Sequence, residues 1–353
     1  MYSPKFSINN EILKNIGIVE ACREVIDNAP LLPYYEKQFQ QDAIVRTVHH
    51  GTHIEGNELN MDQAQRVLMG ENVVARVRDI QEVINYRRVM ELISEVQNQT
   101  EEKITETFIK KLHALTVDRI LSPEQCGIFR STQVVVRNSQ TGNVSFRPPP
   151  AIEVSYQMAE FLHWINDVDK NAMHPVLKAG IVHYELVRIH PFVDGNGRVA
   201  RALSTLVLFE EGYDIRRFFS MEEFFDVNAA DYYKALQSVE AEDGDLTQWL
   251  AYFTRGLAIE LSKVKDRVHK LSIDVKLKDK LGHQIILSDR QIKLIEYIRE
   301  VGYLQNQAFA TLFPMVSEDT ILRELQELMK NGIIKKEGVT KGARYVLAAY
   351  ASS

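Results

Sequence analysis

At 353 residues the chain exceeds what one small core organises, and two or three domains are expected. Its 45% hydrophobic and 25% charged residues are those of an ordinary globular protein, and a net charge of −6 gives no overall attraction to nucleic acid. Cys22 and Cys126 stand outside any CxxC or Cys/His spacing, so reduced thiols are expected and neither a disulfide nor a zinc site.

The chain opens Met1-Tyr2-Ser3-Pro4-Lys5 without the basic region and apolar core of a secretory signal. The most apolar stretches, such as residues 203–209, are too short and too flanked by charge to span a bilayer, which makes the cytoplasm the expected setting. Three blocks follow, without repeats. Residues 1–60 mix short helical patterns with the breaks Asn28-Ala29-Pro30 and Leu32-Pro33. Residues 61–269 are mostly helical. Within them, β-branched 133–137, turn-forming 138–143 and 144–147 read as a β-hairpin closed by Pro148-Pro149-Pro150. A hairpin projecting from a bundle serves binding or is a plain connector. The apolar segments 176–189 and 198–211, with Pro175 before the first and Gly212 after the second, belong in the middle of the bundle.

A charged stretch, 263–280, links to the third block, 282–353. Ser288 can cap a helix through Glu300, a second short helix fits 306–313, and Ser317 caps a third through Lys330. That third helix turns Ile321, Leu322, Leu325, Leu328 and Met329 inward and ends at Asn331-Gly332. Two short strands, 333–336 and 343–347, flank Gly338 to Gly342. Three helices and a hairpin in this order make a winged helix. The predicted fold is therefore mainly α: a helical bundle with a β-hairpin flap, then a C-terminal winged helix-turn-helix domain. The third helix carries Glu318, Asp319, Glu324 and Glu327 against Arg323 and Lys330, which would repel phosphates. The wing is more basic, with Lys335, Lys336, Lys341 and Arg344 against Glu337. Protein contact or homodimerisation is preferred over DNA binding for this block.

The chemistry concentrates in one run, His190-Pro191-Phe192-Val193-Asp194-Gly195-Asn196-Gly197-Arg198-Val199-Ala200-Arg201. Asp194 to Gly197 form a turn, and Arg198 opens an apolar helix. Glycines let backbone approach a ligand closely, and N–H groups at a helix N-terminus bind anions. Arg198 and Arg201, three apart, leave the same helix face. This is a cradle for several phosphates. Asp194 beside it can hold a Mg2+ bridging phosphate oxygens, and His190 can accept a proton near neutral pH.

The run resembles the Fic motif, His-Pro-Phe-x-Asp/Glu-Gly-Asn-Gly-Arg-x-x-Arg, at every specified position. Gly127-Ile128-Phe129-Arg130, the hairpin, the prolines and Trp164 resemble the segment upstream of such a motif. Asp231-Tyr232-Tyr233-Lys234-Ala235-Leu236 and Leu246-Thr247-Gln248-Trp249-Leu250 resemble the segment downstream, so the likeness spans roughly residues 35–255. The resemblance implies a Fic helical bundle that transfers AMP from ATP to a Ser, Thr or Tyr hydroxyl of a protein. It makes His190 the base and Asp194 the Mg2+ ligand. Gly195, Asn196 and Gly197 become the anion hole, and Arg198 and Arg201 the clamp on the β- and γ-phosphates. The flap around 133–147 would pair with an extended segment of the protein substrate. Doc relatives carry lysine where Gly197 stands, so AMP transfer is favoured over phosphorylation. Tyr232 and Tyr233 either wall the adenine pocket or are core aromatics.

Thr52-His53-Ile54-Glu55-Gly56-Asn57 resembles the Fic inhibitory motif Ser/Thr-x-x-x-Glu-Gly/Asn, of the class with an N-terminal inhibitory helix. The resemblance pairs Glu55 with Arg201. Gly51 stands where the motif has Ser or Thr, which removes a hydroxyl, weakens the helix locally and lowers the expected strength of inhibition. Alternative readings are a nucleotide-sensing transcriptional or toxin–antitoxin regulator, and a Fic enzyme that mainly removes AMP or uses another donor.

Overall fold

The structure, a computed structural model, describes residues 2–29, 31, 33–97, 103–137, 144–167, 173–280, 288–314, 316–338 and 343–348. The chain divides into two compact units, Met1–Val268 and His269–Ser353. The first unit begins with α1 (Asn10–Asp27), α2 (Pro33–His53), α3 (Met61–Leu68), α4 (Val77–Gln97) and α5 (Glu106–Thr116). Strands β1 (Val136–Arg137) and β2 (Val144–Phe146) follow. Then come α6 (Val154–Asp167), α7 (Pro175–Ile189), α8 (Asn196–Glu210), α9 (Met221–Val227), α10 (Ala229–Ala241) and α11 (Thr247–Lys280).

Local chemistry fixes many of these starts. Side-chain oxygens of Asn9, Asn60, Thr105 and Ser220 accept from backbone N–H groups in the first turns of α1, α3, α5 and α9. Pro175 opens α7, where a missing N–H costs nothing. Residues 176–186 of α7 and 198–209 of α8 are buried all round, so these two helices form the centre of the bundle. They pack on each other, and α11 closes against α7 at Gly180. A Cβ there would lie 2.8 Å from Leu250 Cδ2, and Trp249 Nε1 donates to the Gly180 carbonyl at 2.7 Å. No helix among the described residues is long and apolar enough to cross a membrane.

Two features of the first unit differ from the sequence-based expectation. The hairpin is shorter than 133–147: Val136 pairs with Phe146 and Arg137 with Val144, and the turn 138–143 lies outside the described residues. The charged stretch 263–280 is helical, the second half of the 34-residue α11, within which the division between the two units falls at Val268 and His269.

The second unit contains α12 (Asp289–Val301), α13 (Phe309–Leu312), α14 (Glu318–Lys330), β3 (Ile334–Glu337) and β4 (Arg344–Leu347). Ser288 and Gln291 form a capping box, Gly302 ends α12 at φ 89°, and Ser317 caps α14. The helix expected over 306–313 is split into a 3-10 turn, Asn306–Ala308, and α13. β3 and β4 pair antiparallel, Leu304 bridges to Tyr345, and the core includes Leu294, Ile298, Leu325 and Leu328. Residues 282–287 and 339–342, both part of the expected domain, lie outside the described residues. The acidic face expected on α14 is partly spent internally. Glu324 accepts from Ser288 Oγ and Arg290 Nε, and Glu327 from Gln291 Nε2.

Candidate active site

The loop between α7 and α8 is held from three directions. α7 ends at His190, whose φ of 50° and ψ of 58° place a non-glycine residue in the left-handed region. That conformation costs about 1–2 kcal/mol and persists only where neighbours enforce it. Arg130, 4% exposed, is the enforcer. Its Nε donates to the His190 carbonyl at 2.8 Å, its N–H to Pro191 O at 2.8 Å, and its Nη2 to Pro149 O at 2.7 Å. Asn196 locks the other end, accepting from the Phe192 N–H and donating to the Phe192 carbonyl, both at 2.9 Å. His113 on α5 supplies the third hold. It stacks on Phe192 at 3.7 Å, accepts the Gly127 N–H on Nδ1, and so carries its proton on Nε2, which donates to Asp194 O at 3.1 Å. Burial pushes the His113 pKa down to about 4, keeping it neutral.

His190 Nδ1 lies 3.2 Å from the Val187 carbonyl, which places the proton there and leaves Nε2 as the basic nitrogen. Burial lowers the His190 pKa below the ordinary histidine value, against the opposing Val187 bond and the Glu55 charge. A neutral imidazole is therefore present near pH 7.

Helix α8 begins with Gly195, at φ 79°, as its N-cap. The first intrahelical bond runs from Val199 N to Gly195 O at 3.0 Å, so the N–H groups of Asn196, Gly197 and Arg198 precede it. They form the anion-binding end of a buried helix. The Asn196 side chain is consumed by Phe192, so of this residue only the backbone N–H remains for an anion. Arg198 and Arg201 are 1% and 2% exposed. Arg198 reaches Asp194 Oδ1 at 3.2 Å and Glu82 at 3.5 Å, but among the described residues its Nε has no hydrogen-bond partner, and neither does Arg201 Nε. Buried guanidinium N–H groups without acceptors are what an absent anionic ligand would leave.

Asp194 lies in the same turn, its Oδ1 accepting the Gly195 N–H at 2.6 Å and its Oδ2 facing Arg78 at 3.0 Å. Burial opposes its charge, yet the Arg198 guanidinium, the Gly195 N–H and Arg78 together hold its pKa below the usual carboxylate range. An ionised carboxylate beside an anion cradle is a donor that suits Mg2+ shared with phosphates.

Glu55 lies in the turn just after α2. Its Oε1 accepts from Arg201 Nη2 at 2.8 Å, and the same Nη2 lies 2.8 Å from the Gly51 carbonyl. A methyl group at Gly197 would collide with the Glu55 carboxylate, so this glycine makes room for the glutamate. The turn is stitched to the start of α4: Arg76 donates to Gly56 O, and Asn57 Nδ2 donates to Asp79 O and to Glu82 Oε2. Gly51, expected from the sequence to weaken the helix, has a packing role there. It is buried against the Tyr86 ring, where any Cβ would clash, and Tyr86 is anchored through its hydroxyl on Glu222 at 2.9 Å. Thr52 turns its hydroxyl back onto the Val48 and His49 carbonyls, away from Glu55.

Glu55, His190, Gly197, Tyr232 and Tyr233 line one pocket, with Val136 and Phe146 of the hairpin. Its free volume, about 140 Å³ with Glu55 in place, is below the roughly 300 Å³ at which small-molecule sites begin. Tyr232 lines this pocket and is also a buried core aromatic bonded to His183 Nε2 at 2.9 Å. Tyr233 is 41% exposed, its hydroxyl 3.5 Å from Ile54 O. The sequence reading missed His113, Arg78 and Glu82, and gave Arg130 no role. Only a lone histidine or a surface-like charge on a helix marks them, which is no signal in one sequence.

Residues 103–208, from before α5 to near the end of α8, match the Fic/DOC family. That span holds the hairpin and the 190–201 loop but not Glu55. The protein adenylyltransferase Fic of Drosophila grimshawi is 34% identical over 179 residues, 50% of this chain and 35% of that protein. Its counterpart in Nematostella vectensis is 28% identical over 241 residues, 67% of this chain and 52% of that protein. The chain thus spans about a third to a half of the length of these curated relatives. Among solved structures, a Fic family protein from Desulfovibrio desulfuricans aligns over 99% of each chain, with a TM-score of 0.67 and 23% identity. A Fic domain containing signaling protein from Bacteroides thetaiotaomicron covers 74% of this chain and 97% of its own, with a TM-score of 0.61 and 26% identity. The mainly helical fold with its small antiparallel hairpin is that of Fic proteins.

Proposed function

We propose that this protein is an adenylyltransferase that moves AMP from ATP onto a Ser, Thr or Tyr hydroxyl of a target protein, restrained by Glu55. The observation that carries the reading is the junction of α7 and α8. There a neutral histidine stands beside an anion-binding helix end and two buried arginines, each with an N–H that has no acceptor among the described residues. His190 Nε2 takes the proton of the target hydroxyl, and the oxygen attacks the α-phosphorus. The bond to the β-phosphate oxygen breaks in line, and pyrophosphate leaves with the electron pair. The N–H groups at the start of α8, with Arg198 and Arg201, hold the phosphate oxygens as charge shifts among them. Positioned donors of this kind do most of the work in phosphoryl chemistry. When bound, Mg2+ on Asp194 neutralises charge on the phosphate chain. The β1–β2 hairpin borders the pocket and offers a strand edge to an extended target segment. Tyr232 and Tyr233 wall the adenine side.

In this reading the Glu55–Arg201 pair is a brake that occupies the γ-phosphate position. Residues 1–60 carry the brake, 61–269 the catalytic core, and 282–353 a winged-helix domain that contacts protein or a second copy of the chain rather than DNA. The setting is cytoplasmic. The test uses ATP labelled separately at the α- and γ-phosphates. Protein-bound label from the α position alone is expected. Label arriving from the γ position instead would make the protein a phosphotransferase.

A further inference from the structure

We propose that Arg78 guards the metal ligand: its guanidinium occupies the Asp194 oxygen that a divalent cation needs, and must leave before the cation binds. The inference rests on the reading of Asp194 as the cation-holding carboxylate. Asp194 has two oxygens to offer. Oδ1 is already shared between the Gly195 N–H at 2.6 Å and Arg198 Nη2 at 3.2 Å, both part of the buried loop–helix junction. Oδ2 faces Arg78 Nη2 at 3.0 Å, the one partner recorded for it among the described residues. Oδ2 is therefore the oxygen open to a cation, and it is capped. A Mg2+ bonds carboxylate oxygen at about 2.0–2.1 Å, so cation and guanidinium would be two positive charges on one atom.

The rest of the local geometry lets Arg78 move and little else. Arg78 is the second residue of α4, and its side chain is 58% exposed. Its Nε is held on Glu82 Oε1 at 3.0 Å, which makes a pivot from which Nη2 can turn to solvent. Glu82 is buried, but it also takes Asn57 Nδ2 at 2.9 Å and faces Arg198 at 3.5 Å. Loss of Arg78 therefore leaves no buried charge alone. The opposite role is also defined by chemistry: an outer partner that orients a ligand strengthens metal binding, and its loss weakens it. The two roles predict opposite signs.

The test measures binding by calorimetry on the full chain carrying Glu55→Gly and His190→Ala, which open the pocket and stop turnover. The readout is the ratio of the Kd for ATP with EDTA to the Kd for Mn2+–ATP. Arg78→Ala is expected to raise this ratio roughly two- to fivefold, the scale of one exposed ion pair. An unchanged or smaller ratio overturns the guard. Asp194→Asn separates the two ideas. A ratio near one in that variant upholds Asp194 as the ligand, whereas a ratio kept at the parent value removes the reading on which the inference rests. Unfolding midpoints equal to the parent's within a few degrees establish that Arg78→Ala acts at the site. A midpoint that collapses would assign Arg78 to the fold and overturn the guard as well.

Discussion

Glu55, which lines the pocket, and the buried Arg201, 146 positions further along the chain, meet at 2.8 Å. Burial works against the charge on Arg201, and Glu55 is the largest influence restoring it. A buried guanidinium needs an anion, and breaking such a pair leaves a charge that a second anion can claim. The γ-phosphate of ATP is that second anion in the proposed reaction.

Replacing Glu55 with glycine is expected to raise the initial rate of modification on the order of a hundredfold, the scale of correcting a misplacement of roughly an ångström at a reacting centre. The turn carrying Glu55 is tied to α4 through Gly56 and Asn57, which would seat the proposed brake firmly. Arg201→Ala removes the anchor of the brake and the phosphate clamp together and is expected not to activate. Initial rates of label incorporation from ATP decide it. A Glu55→Gly variant no faster than wild type, with Arg201→Ala faster, contradicts the brake.

The pH profile of the Glu55→Gly enzyme should keep its activity below the ordinary histidine pKa. Burial lowers the His190 pKa, so the neutral base survives as pH falls through 6.5. Glu55 raises that pKa, so its removal moves the acid limb lower still. A limb at or above pH 6.5 in kcat/KM would argue against His190 as the base.

Gly51→Ser restores the hydroxyl that the inhibitory motif carries, and a sequence argument expects a tighter brake. The packing predicts otherwise. A Cβ at residue 51 meets the Tyr86 ring, and overpacking of this kind costs about 1–3 kcal/mol, more than the ~0.5 kcal/mol gained in helix propensity over glycine. Chemical denaturation is expected to show a less stable protein whose basal activity is not reduced. A stabilised and more strongly inhibited variant would contradict the packing account.

His113 couples folding to acid. Its folded pKa of about 4 lies below the unfolded value of about 6.5, so between those pH values the unfolded chain binds the extra proton. Stability therefore falls as pH drops from about 6.5 to 4, by up to about 3 kcal/mol from this residue. His113→Gln, which cannot titrate, is expected to flatten that slope in urea unfolding. Equal slopes in the two proteins would remove His113 from the linkage.

What the sequence made legible was local. The 190–201 run, the caps at Ser288 and Ser317, and the apolar helices around 176–189 and 198–211 each declare themselves within a short stretch of chain. Asp194, Gly195, Asn196 and Gly197 do so because a turn, a helix start and an anion site share one short pattern. Long-range packing was not legible. That Tyr86 packs against Gly51 and leaves no room for a Cβ is not visible in the sequence. Arg130 and His113 are ordinary residues in sequence and fix the loop only because the fold brings their elements to it. The pairing of Arg78 with Asp194 joins residues 116 positions apart and follows from where α4 begins.

Intact-mass spectrometry of the Glu55→Gly protein tests the proposed AMP transfer by His190 most directly. Incubated with ATP and Mg2+, alone or with candidate targets, that variant is expected to yield protein heavier by one AMP group on a hydroxyl residue. The Glu55→Gly, His190→Ala double variant is expected to yield none while still binding ATP. Equal modification in both variants, or an added mass other than AMP, would contradict it.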